Sequence, residues 1–275
     1  MGYPLAILLA VIQGLTEFLP VSSSGHLRLC GALFGLDRPT TAYDVILHAG
    51  TLLAVIIVFR GELRRMLVAL ARVGGLLRAG GLRALWADAD ARLIVLLGLA
   101  MLPTGVIGLL IKRFENQLAQ IWFVGAMLIV NGCVLFLTKS LSARATRGLD
   151  EMTVSDALLI GTAQGAGVLR GISRSGSTIV AGMGVGLRPS DAFSFSFLLA
   201  IPAILAAVAV ESKEIAGGAG VTFGEAALGF VIALLVGWAA LVGLRQLVDR
   251  GKLHVFAIYC WIVGGIAIAS EILRR

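Results

Sequence analysis

The chain has 275 residues, of which 58% are hydrophobic and only 14% are charged, and its formal net charge is +7. Soluble domains carry about 25% charged residues, so this composition excludes an ordinary soluble protein and predicts an α-helical protein that crosses a membrane several times. We attribute the positive charge to loops that stay in the cytoplasm, and not to nucleic-acid binding. The three cysteines are dispersed, which argues against a disulfide framework or a zinc site.

The first apolar helix, predicted for residues 3–20, ends in a polar motif, QGLTEFLPVSSSGH at 13–26. Gln13 and Glu17 lie four residues apart and would share one face of the helix. Pro20 ends this helix, because it has no N–H and restricts the residue before it. An acid inside an apolar segment costs about 2.5–3.5 kcal/mol on insertion scales, so Glu17 is a functional candidate by default. The alternative is a protonated acid that bonds to polar neighbours.

Three serines follow the proline and precede a second, shorter helix predicted at 26–36. Serine is a favoured N-cap, and a helix N-terminus favours an anion. His26 beside Ser22, Ser23 and Ser24 is therefore a candidate base, nucleophile or proton donor near a phosphate. A span needs about 20 residues, so we predict that the two helices form a re-entrant hairpin.

Six apolar segments are long enough to be spans. They are predicted at 42–59, 93–111, 121–138, 192–210, 221–244 and 255–273. His48 lies inside the first of them and is expected to have a structural role. The basic segment 60–92 follows, and its apolar residues recur at helical spacing, which predicts an amphipathic helix on the membrane surface. These residues are Leu63, Met66, Leu67 and Leu70.

The plan of the first half repeats in the second. A shift of 151 residues aligns Gln13 with Gln164 and the serine motif with 173–177, and a second hairpin is predicted at 155–170 and 176–187. Since three spans per half is an odd number, the second half must be inverted, an arrangement familiar from transporters. We divide the chain into a first repeat (1–140), a cytoplasmic linker (141–154) and a second repeat (155–275).

Basic residues predict the orientation of these segments. With 60–92 and the linker in the cytoplasm, the inner segments hold 14 Lys and Arg residues and the outer ones hold seven. Both termini would then lie outside, and the hairpin that carries Glu17 would enter from the outer face.

The second hairpin carries a different charge. In GISRSG at 171–176, Arg174 stands opposite Ser23, whereas Val168 stands opposite Glu17. A guanidinium at a helix N-terminus favours phosphate binding, and the alternative is a structural arginine that satisfies helix-end carbonyls. Arg170 could be a second phosphate contact or a surface arginine. One motif carries acid and imidazole and the other carries guanidinium, so the two are complementary.

On these residues the chain resembles the undecaprenyl pyrophosphate phosphatases, a family often called UppP or BacA. The resemblance covers nearly the whole length and rests on 13–26, 171–176 and FSFSFLLAIP at 193–202. It implies a bacterial inner-membrane hydrolase of phosphorus-containing anhydrides. Such an enzyme removes the terminal phosphate of the C55 diphosphate, and so recycles the lipid carrier for peptidoglycan and other wall polymers. The resemblance also implies a role in cell shape and in resistance to bacitracin, which competes for the substrate.

The resemblance also implies roles for individual residues. The implied catalytic residues are Glu17, Ser23, His26 and Arg174. The implied substrate-binding residues are Gln13, Ser22, Ser24, Gly25, Ser173, Ser175 and Gly176. A divalent cation, Mg²⁺ or Ca²⁺, is implied with Glu17 as its ligand. The chain departs from the family pattern at Gln13, which cannot ionise, and at Arg170, where the family usually has proline.

Several alternatives stay open at this point. Attack by Ser23, by His26 or by water directly are all compatible with the motif. A transporter or flippase of polyprenyl phosphate would share the inverted repeat and the charges near the midplane. The expected partners are the lipid substrate and membrane lipids, with the active site open to the outer face. The oligomeric state is open, with a homodimer as one option.

Overall fold

The computed structural model describes residues 2–34, 41–211 and 221–273. Four basic residues in the orientation count lie outside the described residues, namely Arg38, Lys213, Arg274 and Arg275. Within the described ranges the regular elements are thirteen α-helices and one short 3₁₀ turn. The helices are α1 (Tyr3–Phe18), α2 (Ser23–Leu33), α3 (Thr41–Val58), α4 (Arg60–Ala87), α5 (Ala89–Lys112), α6 (Glu115–Leu118), α7 (Ile121–Phe136), α8 (Thr138–Leu141), α9 (Val154–Ala166), α10 (Arg174–Gly184), α11 (Pro189–Glu211), α12 (Phe223–Asp249) and α13 (Val255–Leu273).

The helices are those of a multi-pass membrane protein. In the described part of the chain, five are long and apolar enough to cross a bilayer: α5, α7 with its extension α8, α11, α12 and α13. A sixth span results if α3 and α4, which meet at 81°, are counted together. The helix α1 is apolar but has only 16 residues, which is short for a span of about 20. The prediction of an all-helical membrane protein is confirmed.

The two motif helices begin earlier than predicted. The helix α2 starts at Ser23 and not at 26, and α10 starts at Arg174 and not at 176. In each case a serine just before the helix accepts a hydrogen bond from a backbone N–H inside the first turn, which is N-cap geometry. Ser22, Ser23 and Ser24 were expected at the start of the second helix, but the predicted bounds began that helix only at residue 26.

The basic segment forms α4, as predicted from its helical spacing. Leu63 and Met66 of the predicted stripe pack against the core, whereas Leu67 and Leu70 are exposed. The helix is interrupted near Gly81, whose φ of +60° favours glycine. The helix is therefore confirmed, and its place on the membrane surface stays a prediction.

A cluster of phenylalanines packs against the C-terminal end of α1. The Phe193 and Phe197 rings of α11 are 4.6 Å apart, and Phe197 also contacts Phe18 at 5.7 Å between ring centroids. All three side chains are almost fully buried, together with Phe195. The motif at 193–202 thus provides the apolar support on which the acid-bearing end of α1 rests.

Small residues let the long helices approach closely. A Cβ atom on Gly14 of α1 would lie 2.9 Å from Val236 of α12, and one on Gly165 of α9 would lie 2.8 Å from Ile107 of α5. Gly14 and Gly165 are the residues that the 151-residue shift aligns. Glycines at positions aligned by the sequence repeat therefore each allow a close helix contact.

Candidate functional site

Glu17 is the centre of a buried polar cluster at the end of α1. Its side chain is only 6% exposed. One carboxylate oxygen, Oε2, accepts hydrogen bonds from Gln13 Nε2 at 3.1 Å and from Ser23 Oγ at 2.7 Å. The other oxygen, Oε1, accepts from Arg174 Nη2 at 2.8 Å. Three donors therefore offset the cost of burying a carboxylate in an apolar environment, and the prediction that Gln13 and Glu17 share one face of α1 is confirmed.

Arg174, the first residue of α10, provides the opposite charge. Its side chain is 16% exposed and forms an ion pair with Glu17 through Nη2. Within the described residues, the second terminal nitrogen, Nη1, is buried without a hydrogen-bond partner. A guanidinium presents its donors in a planar fork that suits two oxygens at once. Arg174 thus has a buried N–H donor whose hydrogen-bonding capacity the described residues do not use.

The two motif turns are in direct contact, and a hydrogen bond from a backbone N–H to a serine side chain joins them. Ser22 caps α2 and its Oγ accepts from the N–H of Gly25 at 3.3 Å and from the N–H of Gly171, in the other motif, at 3.0 Å. Ser22 has a φ of +70°, which is unusual for a residue other than glycine. A Cβ atom on Gly25 would lie 3.2 Å from Gly171 Cα. Glycine at 25 therefore allows the two turns to meet.

Asn131 of α7 forms hydrogen bonds to both of these turns. It is fully buried, its Nδ2 donates to the carbonyl of Pro20 at 2.9 Å, and its Oδ1 accepts from the N–H of Ser173 at 2.9 Å. The sequence analysis missed this residue. The signal was present, because Asn131 is a lone amide inside the apolar helix α7.

The remaining serines complete the junction. Ser173 caps α10 by accepting from the N–H of Gly176 at 3.1 Å, and its Oγ lies 3.1 Å from that of Ser175. Ser175 Oγ donates to the carbonyl of Phe18 at the end of α1, at 2.9 Å. Ser24 is exposed, with its Oγ 3.5 Å from that of Ser22. The two halves of the predicted site are thus in direct contact.

His26 bonds to groups outside this carboxylate cluster. Its Nδ1 lies 2.8 Å from the carbonyl oxygen of Ser22, and its Nε2 lies 2.8 Å from the hydroxyl of Tyr259 on α13. Since a carbonyl only accepts, Nδ1 carries the hydrogen, and Nε2 of the neutral ring accepts from Tyr259. No hydrogen bond or ion pair among the described residues joins His26 to Glu17 or Arg174. The partner Tyr259 was missed by the sequence analysis.

His48, expected to be structural, lies beside the acid. Its Nε2 is 3.8 Å from Glu17 Oε2, and its Nδ1 is 2.8 Å from the backbone oxygen of Asp44. By the same argument Nδ1 is the donor, so Nε2 faces the carboxylate and attracts it when the ring is protonated. The sequence signal that could have indicated this position beside the acid was a histidine inside an apolar span.

The cluster offers oxygen ligands rather than a complete metal centre. Among the described residues there is no group of three or more His, Cys, Asp and Glu side chains that could hold a metal ion. Gln13 Oε1, however, is buried without a hydrogen-bond partner in that part of the chain, and Gln13 Nε2 bonds to Glu17. Mg²⁺ is commonly held by one or two carboxylates and by substrate phosphates. The side-chain oxygens of Glu17, Gln13 and Ser23 are of the type that such a cation binds, and its other ligands would come from a bound phosphate.

Known proteins are similar to this chain over nearly its whole length. The sequence model of the family described as "Bacitracin resistance protein BacA" matches residues 6–266. The chain is 42% identical over 273 residues to an undecaprenyl-diphosphatase of Desulforapulum autotrophicum, with 96% of each chain covered. It is 42% identical to one of Desulfosudis oleivorans (95% of this chain and 96% of that one) and 37% identical to one of Methanobrevibacter smithii (97% of each). The chain therefore belongs to the BacA family of bacitracin resistance proteins.

Proposed function

We propose that this protein hydrolyses undecaprenyl diphosphate to undecaprenyl phosphate and inorganic phosphate. The reaction recycles the lipid carrier of peptidoglycan synthesis, which links the protein to cell-wall biogenesis, cell shape and bacitracin resistance. Family membership and the names of the relatives support this function. The observation that carries it is the buried Glu17–Arg174 pair, in which Arg174 Nη1 has no partner among the described residues.

The site binds the diphosphate through charge and backbone donors. Arg174 Nη1 donates to the terminal phosphate, and the first turns of α2 and α10 both face the junction with their N-terminal ends. Free N–H groups and the positive end of the helix dipole favour an anion at such ends. These groups also offset the charge that develops on the phosphoryl oxygens in the transition state.

Ser23 is the best-placed nucleophile. Its hydroxyl donates to Glu17 Oε2 at 2.7 Å, so the carboxylate can take the proton as Oγ attacks the terminal phosphorus. The bond from phosphorus to the bridging oxygen breaks, and undecaprenyl phosphate leaves with the electron pair. Water then hydrolyses the phosphoserine, which yields inorganic phosphate and restores Ser23. His26 is a weaker candidate, since its Nε2 is occupied by Tyr259.

A divalent cation, Mg²⁺ or Ca²⁺, fits the same cluster. Glu17 and the unpartnered Oε1 of Gln13 would hold it. When bound, the cation would offset phosphate charge and polarise the reacting phosphoryl group.

We further infer an inverted repeat with two re-entrant hairpins, α1–α2 and α9–α10, and an active site open to the outer face of the bacterial inner membrane. The helix contacts support this topology. The helix α1 of the first half packs against α12 of the second half, and α9 of the second half packs against α5 of the first half. The excess of basic residues in the predicted cytoplasmic segments supports the orientation. A homodimer is compatible with this arrangement.

The second candidate is a transporter of polyprenyl phosphate. Two helix turns that meet around buried charges are also what a transporter of this architecture requires. Purified protein in detergent, incubated with C55 diphosphate, separates the two. We expect phosphate release that falls when a chelator is added and returns with Mg²⁺ or Ca²⁺. A transporter without hydrolase activity would release no phosphate under any of these conditions.

A further inference from the structure

The basic helix α4 contains none of the candidate site residues, and one of its faces is covered by the protein. Ala69, Val73 and Leu76 belong to a hydrophobic cluster with Ala91 and Ile94, which lie in the first two turns of α5. Positions 69, 73 and 76 have the i, i+4, i+7 spacing of a single helix face. Through this face α4 is held against the end of a helix that can cross the membrane.

A second face of α4 carries arginines that have no acidic partner. Arg60, Arg64 and Arg78 are exposed, and none of them forms an ion pair in the part of the chain that the structure describes. All three precede the interruption of the helix at Gly81. At about 3.6 residues per turn, positions 60 and 78 are five full turns apart and lie on the same face, with 64 about 40° away.

Two neighbouring arginines show that α4 pairs a guanidinium where an acid is near. Arg65 pairs with Asp90 at 3.6 Å, and Arg72 pairs with Asp88 at 3.2 Å. Within α4 itself, Glu62 is the single acid among six arginines. The three other arginines therefore form a strip of positive charge without ion pairs, about 27 Å long.

Apolar side chains beside this strip are not covered by the protein. Leu67, Leu70 and Leu77 are 68%, 56% and 43% exposed. Trp86, near the end of the helix, is also exposed, and tryptophan is enriched where a membrane meets water. A helix that presents leucines and arginines side by side is typical of one that lies in the interface of a bilayer.

The bend between α3 and α4 is consistent with such a position. The helix α3 is apolar over 18 residues, and α4 leaves it at 81°. The helix α5, which follows α4 directly, is long and apolar enough to cross the membrane. A helix that runs nearly perpendicular to a membrane-crossing helix lies close to the plane of the bilayer, at the level of the headgroups.

We propose that α4 binds anionic phospholipids, with Arg60, Arg64 and Arg78 on the headgroup phosphates and Leu67 and Leu70 among the upper carbons of the acyl chains. Guanidinium and phosphate are complementary in charge and in geometry. The leucines favour a lipid over a soluble polyanion, because only a lipid brings an apolar part to the same surface. The surface contains no residue of the candidate site, so the inference does not depend on the proposed function.

Removing the charge of the three unpaired arginines tests the proposal. The variant Arg60→Gln/Arg64→Gln/Arg78→Gln keeps the helix, since glutamine and arginine have similar helix propensities. Native mass spectrometry of the purified full chain compares phosphatidylglycerol with phosphatidylcholine of the same acyl chains. We expect the wild-type protein to bind phosphatidylglycerol at least ~10-fold more tightly, and the variant to lose at least ~10-fold in affinity for this lipid alone.

Two triple variants serve as controls for this measurement. Lysine at the same three positions keeps the charge and should retain the preference for phosphatidylglycerol. Glutamine at Arg144, Arg250 and Lys252 removes three exposed positive charges outside α4, and this variant should bind phosphatidylglycerol as the wild type does. Equal affinity of the wild type for the two lipids would overturn the proposal, and so would equal losses in the two glutamine variants.

Hydrogen exchange locates the bound lipid on the chain. In nanodiscs that contain phosphatidylglycerol, the backbone amides of α4 should exchange more slowly than in nanodiscs of phosphatidylcholine alone. This difference should disappear in Arg60→Gln/Arg64→Gln/Arg78→Gln. Inorganic phosphate and a single-stranded oligonucleotide, added to the protein in detergent, should not protect α4. Equal protection by either of them, or protection by the lipid at helices other than α4, would contradict an anionic-lipid surface on α4.

Discussion

Arg174 Nη2 and Glu17 Oε1 lie 2.8 Å apart, although 157 residues separate them in the chain. The contact joins the first residue of α10 to the last turn of α1. Neither motif contains both charges, because the repeat places Val168 opposite Glu17 and Ser23 opposite Arg174. The candidate site therefore takes its carboxylate from the first motif and its guanidinium from the second.

Removing the charge of Glu17 tests the role of the acid. Glu17→Gln keeps the size of the side chain but cannot take a proton and offers a cation only a neutral oxygen, so turnover should fall at least ~100-fold. Phosphate release from C55 diphosphate measures this loss. Glu62→Gln, in the basic helix α4, serves as a control and should turn over normally. A near-normal rate in Glu17→Gln would make Glu17 a structural acid.

Adjacent serines distinguish the nucleophile from its neighbours. Ser23 bonds to Glu17, whereas Ser24 is exposed and its Oγ lies 3.5 Å from that of Ser22. Ser23→Ala should lose at least ~100-fold in kcat, and Ser24→Ala should show a smaller loss, mainly in KM. Trapping of a phosphorylated enzyme in a rapid quench should identify Ser23. If Ser23→Ala remained active while the phosphate was found on His26, the assignment of the nucleophile would be wrong.

Asn131 should matter for stability as well as activity. Asn131→Leu leaves the carbonyl of Pro20 and the N–H of Ser173 buried without their partner, at about 1–3 kcal/mol for each group. We expect a lower unfolding temperature in detergent and a parallel loss of phosphatase activity. Leu128→Ile, a buried change of similar volume in the same helix, is the control. Unchanged stability in Asn131→Leu would show that the two turns hold together without this bridge.

Cysteine labelling tests the orientation. In a Cys133→Ser background, which removes an exposed native thiol, Asp37→Cys and Glu214→Cys should react with an impermeant reagent in whole cells. Arg78→Cys and Ala143→Cys should not react. The opposite pattern would place the active face in the cytoplasm.

Sequence reasoning found the parts of the site that lie close together in the chain. The i,i+4 pair of Gln13 and Glu17 and the serine caps follow from local geometry, and the repeat indicated that Arg174 belongs with Glu17. Asn131, Tyr259 and His48 reach the site from other helices, and no local pattern states which face of an apolar helix turns inward. Each was visible only as a polar group within an apolar segment.

The most direct measurement is phosphate release by Arg174 variants, combined with binding of an unreactive diphosphate analogue. Lysine keeps the charge but loses the planar pair of donors, so Arg174→Lys should be much slower than wild type and Arg174→Ala slower still, with weaker analogue binding in both. The folded yield of each variant is measured alongside. Arg174→Ala protein that folds well, binds the analogue normally and turns over at the wild-type rate would contradict a phosphate site shared by the two motifs.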